Sequence, residues 1–459
     1  MNNPPLFQSA TAPKIKSRSM GLKLFIVCAL ALAMTIPAFF VDDLIDERTH
    51  RQNDVAREIS GHVGGQQTFL GPILAIPYII PPQANFDSVK HGTYFVFPAQ
   101  ATAALKTSTE ERRRSLFKVP VFQAELNFTS SFDLNGVPDS APQNAVLDWP
   151  HAEFLVGVTD ARGALADGTL TAAGKTLTLS PAVNADKLSL GTDANQQLKL
   201  TLFGAQTGSV QPNTQFTTTA SLRFSGAQRI AVLAYGKTTH LTMQGDWPDP
   251  SFDGGFLPVS RNITPAGFTA EWSVPFIARG VRAQGEARNI LALESTDLGV
   301  SFVELADPYQ SVTRSLKFIL LFLGLIFLSY FVFEVTTGKR VHPAQYALVG
   351  VAQLIFYLLL LSLAERIGFD IGFLIAGTST VALLSANAGW IFASRLQAVR
   401  AAIVFTLLYA LIYMLLRLED NALLLGAIAS FLAVAAAMYF TRSIDWYGSL
   451  PDPAATPNQ

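Results

Sequence analysis

Charged residues are scarce in this chain. Asp, Glu, Lys and Arg make up 15% of its 459 residues, while hydrophobic residues make up 50%. In an average soluble protein, roughly a quarter of the residues are charged. The formal net charge is only −1, so the sequence predicts no basic surface for a nucleic acid.

Cysteine is nearly absent as well. The one cysteine, Cys28, excludes an intrachain disulfide and a cysteine-based metal site. The histidines at 50, 62, 91, 151, 240 and 342 are too scattered for metal-ligand spacing. Asp246, Asp249 and Asp253 could bind calcium, but turn chemistry explains this proline-rich segment better.

Catalytic signatures are also missing. The sequence contains no His-Glu-x-x-His and no Gly-x-Ser-x-Gly. The segment Gly236-Lys237-Thr238 resembles the end of a phosphate loop, but Ala231 stands where such a loop needs glycine. We therefore predict a protein that is not an enzyme and that binds no metal and no cofactor.

Long apolar runs without charge take the place of these features. A helix of about 20 apolar residues crosses a bilayer, and a Lys, Arg or Asp at its centre costs about 2.5–3.5 kcal/mol. The runs predict six transmembrane helices, at 24–41, 318–333, 346–364, 371–390, 401–416 and 422–440. Buried helices of a soluble protein are the alternative, which five nearly consecutive runs disfavour.

The first run is longer than the 7–15 apolar residues of a secretory signal peptide, so it is typical of an uncleaved signal anchor. Basic residues predict its orientation, because they concentrate in cytoplasmic loops. With both termini in the cytoplasm, the short outer loops hold only Arg366 and Arg417. The cytoplasmic side then holds nine basic residues: Lys14, Lys16, Arg18, Lys23, Lys339, Arg340, Arg395, Arg400 and Arg442.

This orientation places the long segment between the first two spans in the periplasm. It begins with a charged stretch that is predicted to be a helical stalk, and it continues with period-two alternation, as in Phe122-Ala124-Leu126-Phe128. One dry face and one wet face favour antiparallel sheets packed as a sandwich. Asp-Trp-Pro at 148–150 and again at 246–248 leaves open two related lobes.

The predicted organisation is therefore a membrane α + β protein with a large, β-rich periplasmic domain between its first and second helices. Its predicted parts are a cytoplasmic tail (1–23), the anchor (24–41), the stalk (42–60), the periplasmic domain (61–315), a five-helix membrane bundle (316–440) and a second cytoplasmic tail (441–459).

Ionisable residues next to the membrane are candidates for function. Glu334 and His342 flank the turn between spans two and three. As a pair they could sense pH or relay a proton, or they could simply cap two helix ends. Glu365, Arg366 and Asp370 lie at the outer ends of spans three and four, where they could pair, dock the exterior domain or stay solvated.

Several separated blocks resemble the CreD family of bacterial inner-membrane proteins. They are "LIDERTHRQNDVAREI" (44–59), "QQTFLGPILAIPY" (66–78), "VGVTDARGAL" (156–165), "FLPVSRNITPAGFTAEWSV" (256–274) and the two segments 299–334 and 342–365. The resemblance implies an inner-membrane location in a Gram-negative cell, a role in cell envelope integrity and a two-component regulon that responds to β-lactams. It implies no catalytic residue.

Two functions follow as hypotheses. In the first, the periplasmic domain binds an unknown envelope partner or component and the helices anchor it in the lipid bilayer. In the second, the chain is a transporter or channel for an envelope lipid, peptide or other solute, although no charge lies in the middle of a span. The sequence does not predict an oligomeric state.

Overall fold

The fold is taken from a computed structural model. It describes residues 20–442 apart from 83–87, 115–116, 186, 192–196, 209, 303–307 and 418–421. The predicted tails, with Lys14, Lys16 and Arg18 in one and Trp446 in the other, lie outside these residues. The chain forms two compact units, one from residues 51–305 and the other from the two flanking segments. We call them the β unit and the membrane unit.

The helices have the following bounds in the described part of the chain: α1 Met20–Ala33, α2 Thr35–Val63, α3 Phe276–Arg279, α4 Pro308–Lys317, α5 Ile319–Thr337, α6 Pro343–Ile367, α7 Phe369–Phe392, α8 Arg395–Arg417 and α9 Ala422–Thr441.

Five helical segments of the described residues are long and apolar enough to cross a membrane: Gly21–Val63, α5, α6, α7 and α8. The helix α9 covers the sixth predicted span and contains no charged residue. The count of six membrane crossings stays a prediction. Within the first segment the helix is interrupted at Met34. Pro37 explains the break, because its ring clashes with the carbonyl of Ala33, four residues earlier.

The strands of the first sheet are β1 Gln67–Ile80, β2 Lys90–Val96, β5 Val146–Leu147, β6 Glu153–Val158, β9 Ser180–Pro181, β10 Lys187–Leu190, β11 Leu198–Gln206, β13 Arg229–Leu233, β15 Pro250–Gly254, β18 Gln284–Gly285 and β19 Asp297–Phe302. Those of the second are β3 Gln100–Arg114, β4 Phe117–Asp133, β7 Thr169–Ala172, β8 Lys175–Thr178, β12 Gln215–Ala227, β14 Thr238–Gly245, β16 Ser260–Thr264 and β17 Gly267–Val274.

The prediction of purely antiparallel sheets is wrong, because each sheet contains a parallel pair at its centre. Strand β1 runs parallel to β13, and β3 runs parallel to β14. Alternation of polar and apolar residues reports which face is buried, but not the direction of the neighbouring strand. The partners in each parallel pair are more than 100 residues apart, so no local turn signal could reveal them.

The strand order repeats across these parallel pairs. Strand β1 leads to the antiparallel pair β3–β4 in the other sheet, and β6 returns to lie antiparallel to β1. Strand β13 leads in the same way to β14–β17, and β19 returns to lie antiparallel to β13. The two halves share both sheets and one hydrophobic core. That they derive from related lobes stays a prediction.

The core lies between the two sheets. Strands of the second sheet alternate between buried and exposed residues, as along β12 and β17. Strands β1 and β6 of the first sheet are buried almost throughout, so both of their faces are covered. Phe128 of β4 meets Tyr235 edge to face, with ring centroids 5.6 Å apart. Burying a side chain such as Phe128 stabilises a fold by about 1.5–3 kcal/mol.

Glycine is required where β1 bends. The register of β1 against β6 shifts between Leu70 and Ile73, at Gly71-Pro72. A bulge explains how proline fits within a central strand. A Cβ atom at Gly71 would lie 2.5 Å from the buried ring of Tyr235, so the bend lets this ring pack directly on the backbone.

We expect Gly71→Ala to lower the stability of the β unit by about 1–3 kcal/mol, because the added methyl overpacks the core. Thermal unfolding of the full chain in detergent measures the effect. Gly61→Ala is the matched control, since a Cβ at this position of α2 meets no atom within 4 Å. The control should be neutral or stabilising, because alanine favours a helix by about 0.8–1 kcal/mol over glycine. Equal stability of Gly71→Ala and the native chain would contradict this account of the bend.

Candidate functional site

Glu334 is the most deeply buried of the predicted site residues. Its side chain is 2% exposed, close to the end of α5. The carboxylate accepts hydrogen bonds from the backbone N–H of Val341 at 3.1 Å and from the hydroxyl of Tyr346 at 3.1 Å. It also forms an ion pair with the ammonium group of Lys23 in α1. A buried charge is tolerated when it is paired and hydrogen-bonded in this way.

The turn after α5 explains why these groups meet. Gly338 ends α5 in the left-handed conformation, and Pro343 opens α6. His342 caps α6, because its Nδ1 accepts a hydrogen bond from the backbone N–H of Ala344 at 3.2 Å. Lys339 donates to the carbonyl of Phe392, which lies at the end of α7. Cations near a helix C-terminus are favourable.

Glu334 and His342 therefore have different partners in the structure. Glu334 binds Lys23, Val341 and Tyr346, whereas the exposed His342 serves α6 as a cap. The sequence does not predict Lys23 as the partner of Glu334. Lys23 lies 311 residues earlier, where it is one of several basic residues before the anchor. The functional role of either residue stays a prediction.

The three candidates at the other end of the bundle do not pair with one another in the described part of the chain. Glu365 accepts a hydrogen bond from the hydroxyl of Tyr309 at 2.8 Å. Asp370 accepts one from the hydroxyl of Tyr413 at 3.0 Å. Arg366 is exposed and makes no hydrogen bond or ion pair with a described residue. Gly368 alone separates α6 from α7, so Arg366 and Asp370 flank a very tight connection.

The apolar helices also contain polar side chains, which the charge pattern of the sequence does not reveal because they are uncharged. Tyr409 donates to the Oε1 of the fully buried Gln353 at 2.9 Å, and the Nε2 of Gln353 has no hydrogen-bond partner among the residues that the structure describes. Tyr330 donates to the carbonyl of Leu384 at 2.8 Å and accepts from Asn387 at 3.2 Å. Glutamine, asparagine and tyrosine within charge-free runs were the signal that could have identified them.

The β unit contains a second candidate site, where helix α2 packs on the second sheet. Ala56, Ile59 and Val63 of α2 contact a group of apolar residues on the outer face of the sheet: Val119, Val121 and Ala227. The end of α2 is thereby fixed against strands β4 and β12. Beside this contact lies a cleft of about 500 Å³.

We call this cleft the stalk cleft. Ser108, Gln123 and Ser225 lie side by side on its floor, because the register of β3, β4 and β12 aligns them. Its walls include His62 of α2 and the arginines Arg112 and Arg162. Small-molecule sites have volumes of about 300–1,000 Å³.

Gln67 stabilises the turn that places Arg162 in the wall of the stalk cleft. Its Nε2 donates to the carbonyls of Gly64 at 2.8 Å and Asp160 at 2.9 Å, and its Oε1 accepts from the hydroxyl of Thr159 at 3.2 Å. A Cβ atom at Gly163 would lie 2.4 Å from the carbonyl of Ser225, so this turn also needs glycine. Gln67 and Asp160, which are 93 residues apart in the sequence, thus meet beside the cleft.

The charges around the stalk cleft nearly balance. Arg162 donates to Asp160 through Nε at 3.0 Å and Nη2 at 2.6 Å. These hydrogen bonds hold the pKa of Asp160 below its usual value. Arg112 donates to Glu110 at 2.9 Å. Because both arginines already have carboxylate partners, the cleft suits a polar ligand better than a highly charged one.

These features define a class: a multi-pass α-helical membrane protein that carries a large domain of two mixed β-sheets. Comparisons with known proteins agree with this class. The family described as "Inner membrane protein CreD" matches residues 19–447. The inner membrane protein CreD of Escherichia coli (strain K12) is 29% identical to this chain over 445 residues, which covers 93% of each chain.

The chain belongs to the CreD family of inner membrane proteins. The resemblance expected from the sequence is thereby confirmed. The protein is a multi-pass protein of the inner membrane, and its apolar helices contact the lipid bilayer.

We expect Glu334→Ala to destabilise the membrane unit by about 3–5 kcal/mol, because it leaves the ammonium of Lys23 without its buried counter-ion. Denaturation of the full chain in mixed micelles measures this loss. A cycle with Lys23→Ala separates the ion pair from the other contacts of Glu334. The double variant should be more stable than the sum of the single losses predicts, by about 0.5–3 kcal/mol. Strict additivity would show that the two side chains do not interact.

Proposed function

We propose that this protein supports cell envelope integrity as a non-enzymatic inner-membrane protein whose β unit lies in the periplasm and binds an envelope component. Membership of the CreD family supports the location in the inner membrane. The observation that carries the binding role is the stalk cleft, which is concave, polar and large enough for part of an envelope molecule.

The position of the stalk cleft in the chain suits such a role. His62 lies in its wall, in the last turn of α2. The same helical segment begins at Gly21 with the first apolar run. A ligand in the cleft would therefore contact the end of the segment that anchors the β unit.

The proposed topology has six crossings with both termini in the cytoplasm. Lys23 and Lys339 support the cytoplasmic placement of one end of the bundle, because basic residues concentrate on the cytoplasmic side. Lys23 binds Glu334 near the end of α5, and Lys339 binds the carbonyl of Phe392 at the end of α7. Arg395 opens α8 at the connection that follows α7. The opposite end carries Arg366 and Arg417 but also Glu365 and Asp370, so positive charge does not dominate there.

Cysteine labelling tests this topology. Replacing Cys28 with alanine removes the only native thiol, and Ala104→Cys or Arg340→Cys then adds one exposed thiol. In intact spheroplasts, a membrane-impermeant maleimide should label the cysteine at 104, on the outer face of β3. It should label the cysteine at 340, in the α5–α6 turn, only after lysis. The reverse pattern would place the β unit in the cytoplasm.

Photo-crosslinking tests the binding role. A photoreactive phenylalanine analogue at Gln123, on the floor of the stalk cleft, should capture an envelope component in growing cells. The matched control is the same analogue at Ala104, which is exposed on the same face of the sheet but outside the cleft. The proposal predicts a discrete adduct at 123 that is lost on Arg162→Ala, and no such adduct at 104. Equal labelling at both positions, or none at 123, would refute binding in the cleft.

A further inference from the structure

A groove runs between α7 and α8 in the membrane unit. Its volume is about 660 Å³, and small residues on both helices create it, including Gly377, Thr378, Ala402 and Ala410. It extends along α7 from Asp370 to Ser385, a distance of about 22 Å at 1.5 Å per residue. The hydrocarbon core of a bilayer is about 30 Å thick, so the groove is long enough for one acyl chain of one leaflet.

The rims of the groove are apolar and exposed. Ile371 and Leu374 line the groove on α7 and are 56% and 64% exposed. On α8, Ile403 and Leu407 directly follow the lining residues Ala402 and Thr406 and are 57% and 65% exposed. In a protein of the inner membrane, such side chains face lipid. The open groove between them is therefore accessible to a lipid from the side.

One end of the groove is polar, and the charges there indicate which lipid fits. Asp370 and Tyr413 line that end and are hydrogen-bonded to each other. Arg366 is exposed in the last turn of α6, directly before the one-residue connection to α7. It has no partner among the described residues, so its guanidinium can bind a phosphate in two hydrogen bonds.

We propose that this groove binds a zwitterionic phospholipid with a primary ammonium group, such as phosphatidylethanolamine. One acyl chain lies between α7 and α8, the phosphate binds Arg366, and the ammonium lies next to the carboxylate of Asp370. Glu365 and Asp370 balance Arg366 and Arg417, the last residue of α8, so these four residues give this end of the bundle no net charge, which suits a zwitterionic lipid.

A second groove supplies the matched comparison. It lies between α6 and α7, has a volume of about 420 Å³ and is lined by no charged residue. Thr378 lines the α7–α8 groove, and Ser379, the next residue, lines the α6–α7 groove. Both side chains are exposed on α7, so a large residue at either position fills one groove and leaves the core intact.

Lipid retention by the full-length protein tests the proposal. Protein extracted in a mild detergent is analysed by native mass spectrometry with equal amounts of added phosphatidylethanolamine, phosphatidylcholine and phosphatidylglycerol. The native chain should retain phosphatidylethanolamine preferentially. Thr378→Phe should abolish this retention, whereas Ser379→Phe should preserve it. Arg366→Ala should weaken it about tenfold, the effect of losing a charge-assisted hydrogen bond, and Arg366→Lys should restore part of it.

Each other result would overturn the proposal. Retention that is equal for the three lipids, or that falls equally with Thr378→Phe and Ser379→Phe, would indicate general solvation by lipid. If Thr378→Phe changes the oligomeric state in size-exclusion chromatography and leaves lipid retention unchanged, the groove holds a second copy of the chain. The Thr378→Phe and Ser379→Phe proteins are compared only when their unfolding temperatures match, which separates lipid loss from misfolding.

Discussion

The inability of the hydrocarbon core to form hydrogen bonds governs the membrane unit. Each polar group there must find its partner within the protein, since an unpaired one costs several kcal/mol. Glu334 shows the consequence most clearly, because an ammonium, a backbone N–H and a tyrosine hydroxyl converge on it. The contact of Lys23 with Glu334 joins α1 to the end of α5 across 311 residues of sequence.

The same constraint orders the middle of the bundle. Tyrosine hydroxyls donate to backbone carbonyls or amide oxygens on neighbouring helices, as Tyr330 does with Leu384 and Tyr409 with Gln353. The Nε2 of Gln353 is an exception, because it has no hydrogen-bond partner in the described part of the chain and buried amide donors normally have one.

The β unit is organised by a different constraint, the burial of apolar surface between two sheets. A central parallel pair in each sheet lets two similar strand paths share one core, which is larger than either path alone could enclose. The long β3–β4 hairpin and α2 then build the stalk cleft on the outer face. In this way the packing of α2 on the second sheet forms a concave polar surface within the β unit.

Sequence patterns alone determined the apolar helices and the large β domain between the first two of them, because hydrophobic runs and short-range alternation are local properties. The family was indicated separately, by the resemblance of several sequence blocks to CreD. They also identified Glu334, His342, Glu365, Arg366 and Asp370 as ionisable residues at helix ends. Only the tertiary structure decided that Glu334 binds Lys23, that β1 and β3 have parallel partners, and that Gln67 supports the turn at Asp160. Each of these contacts joins residues about 90 or more positions apart. Their choice of partner depends on how whole elements pack, which no local pattern records.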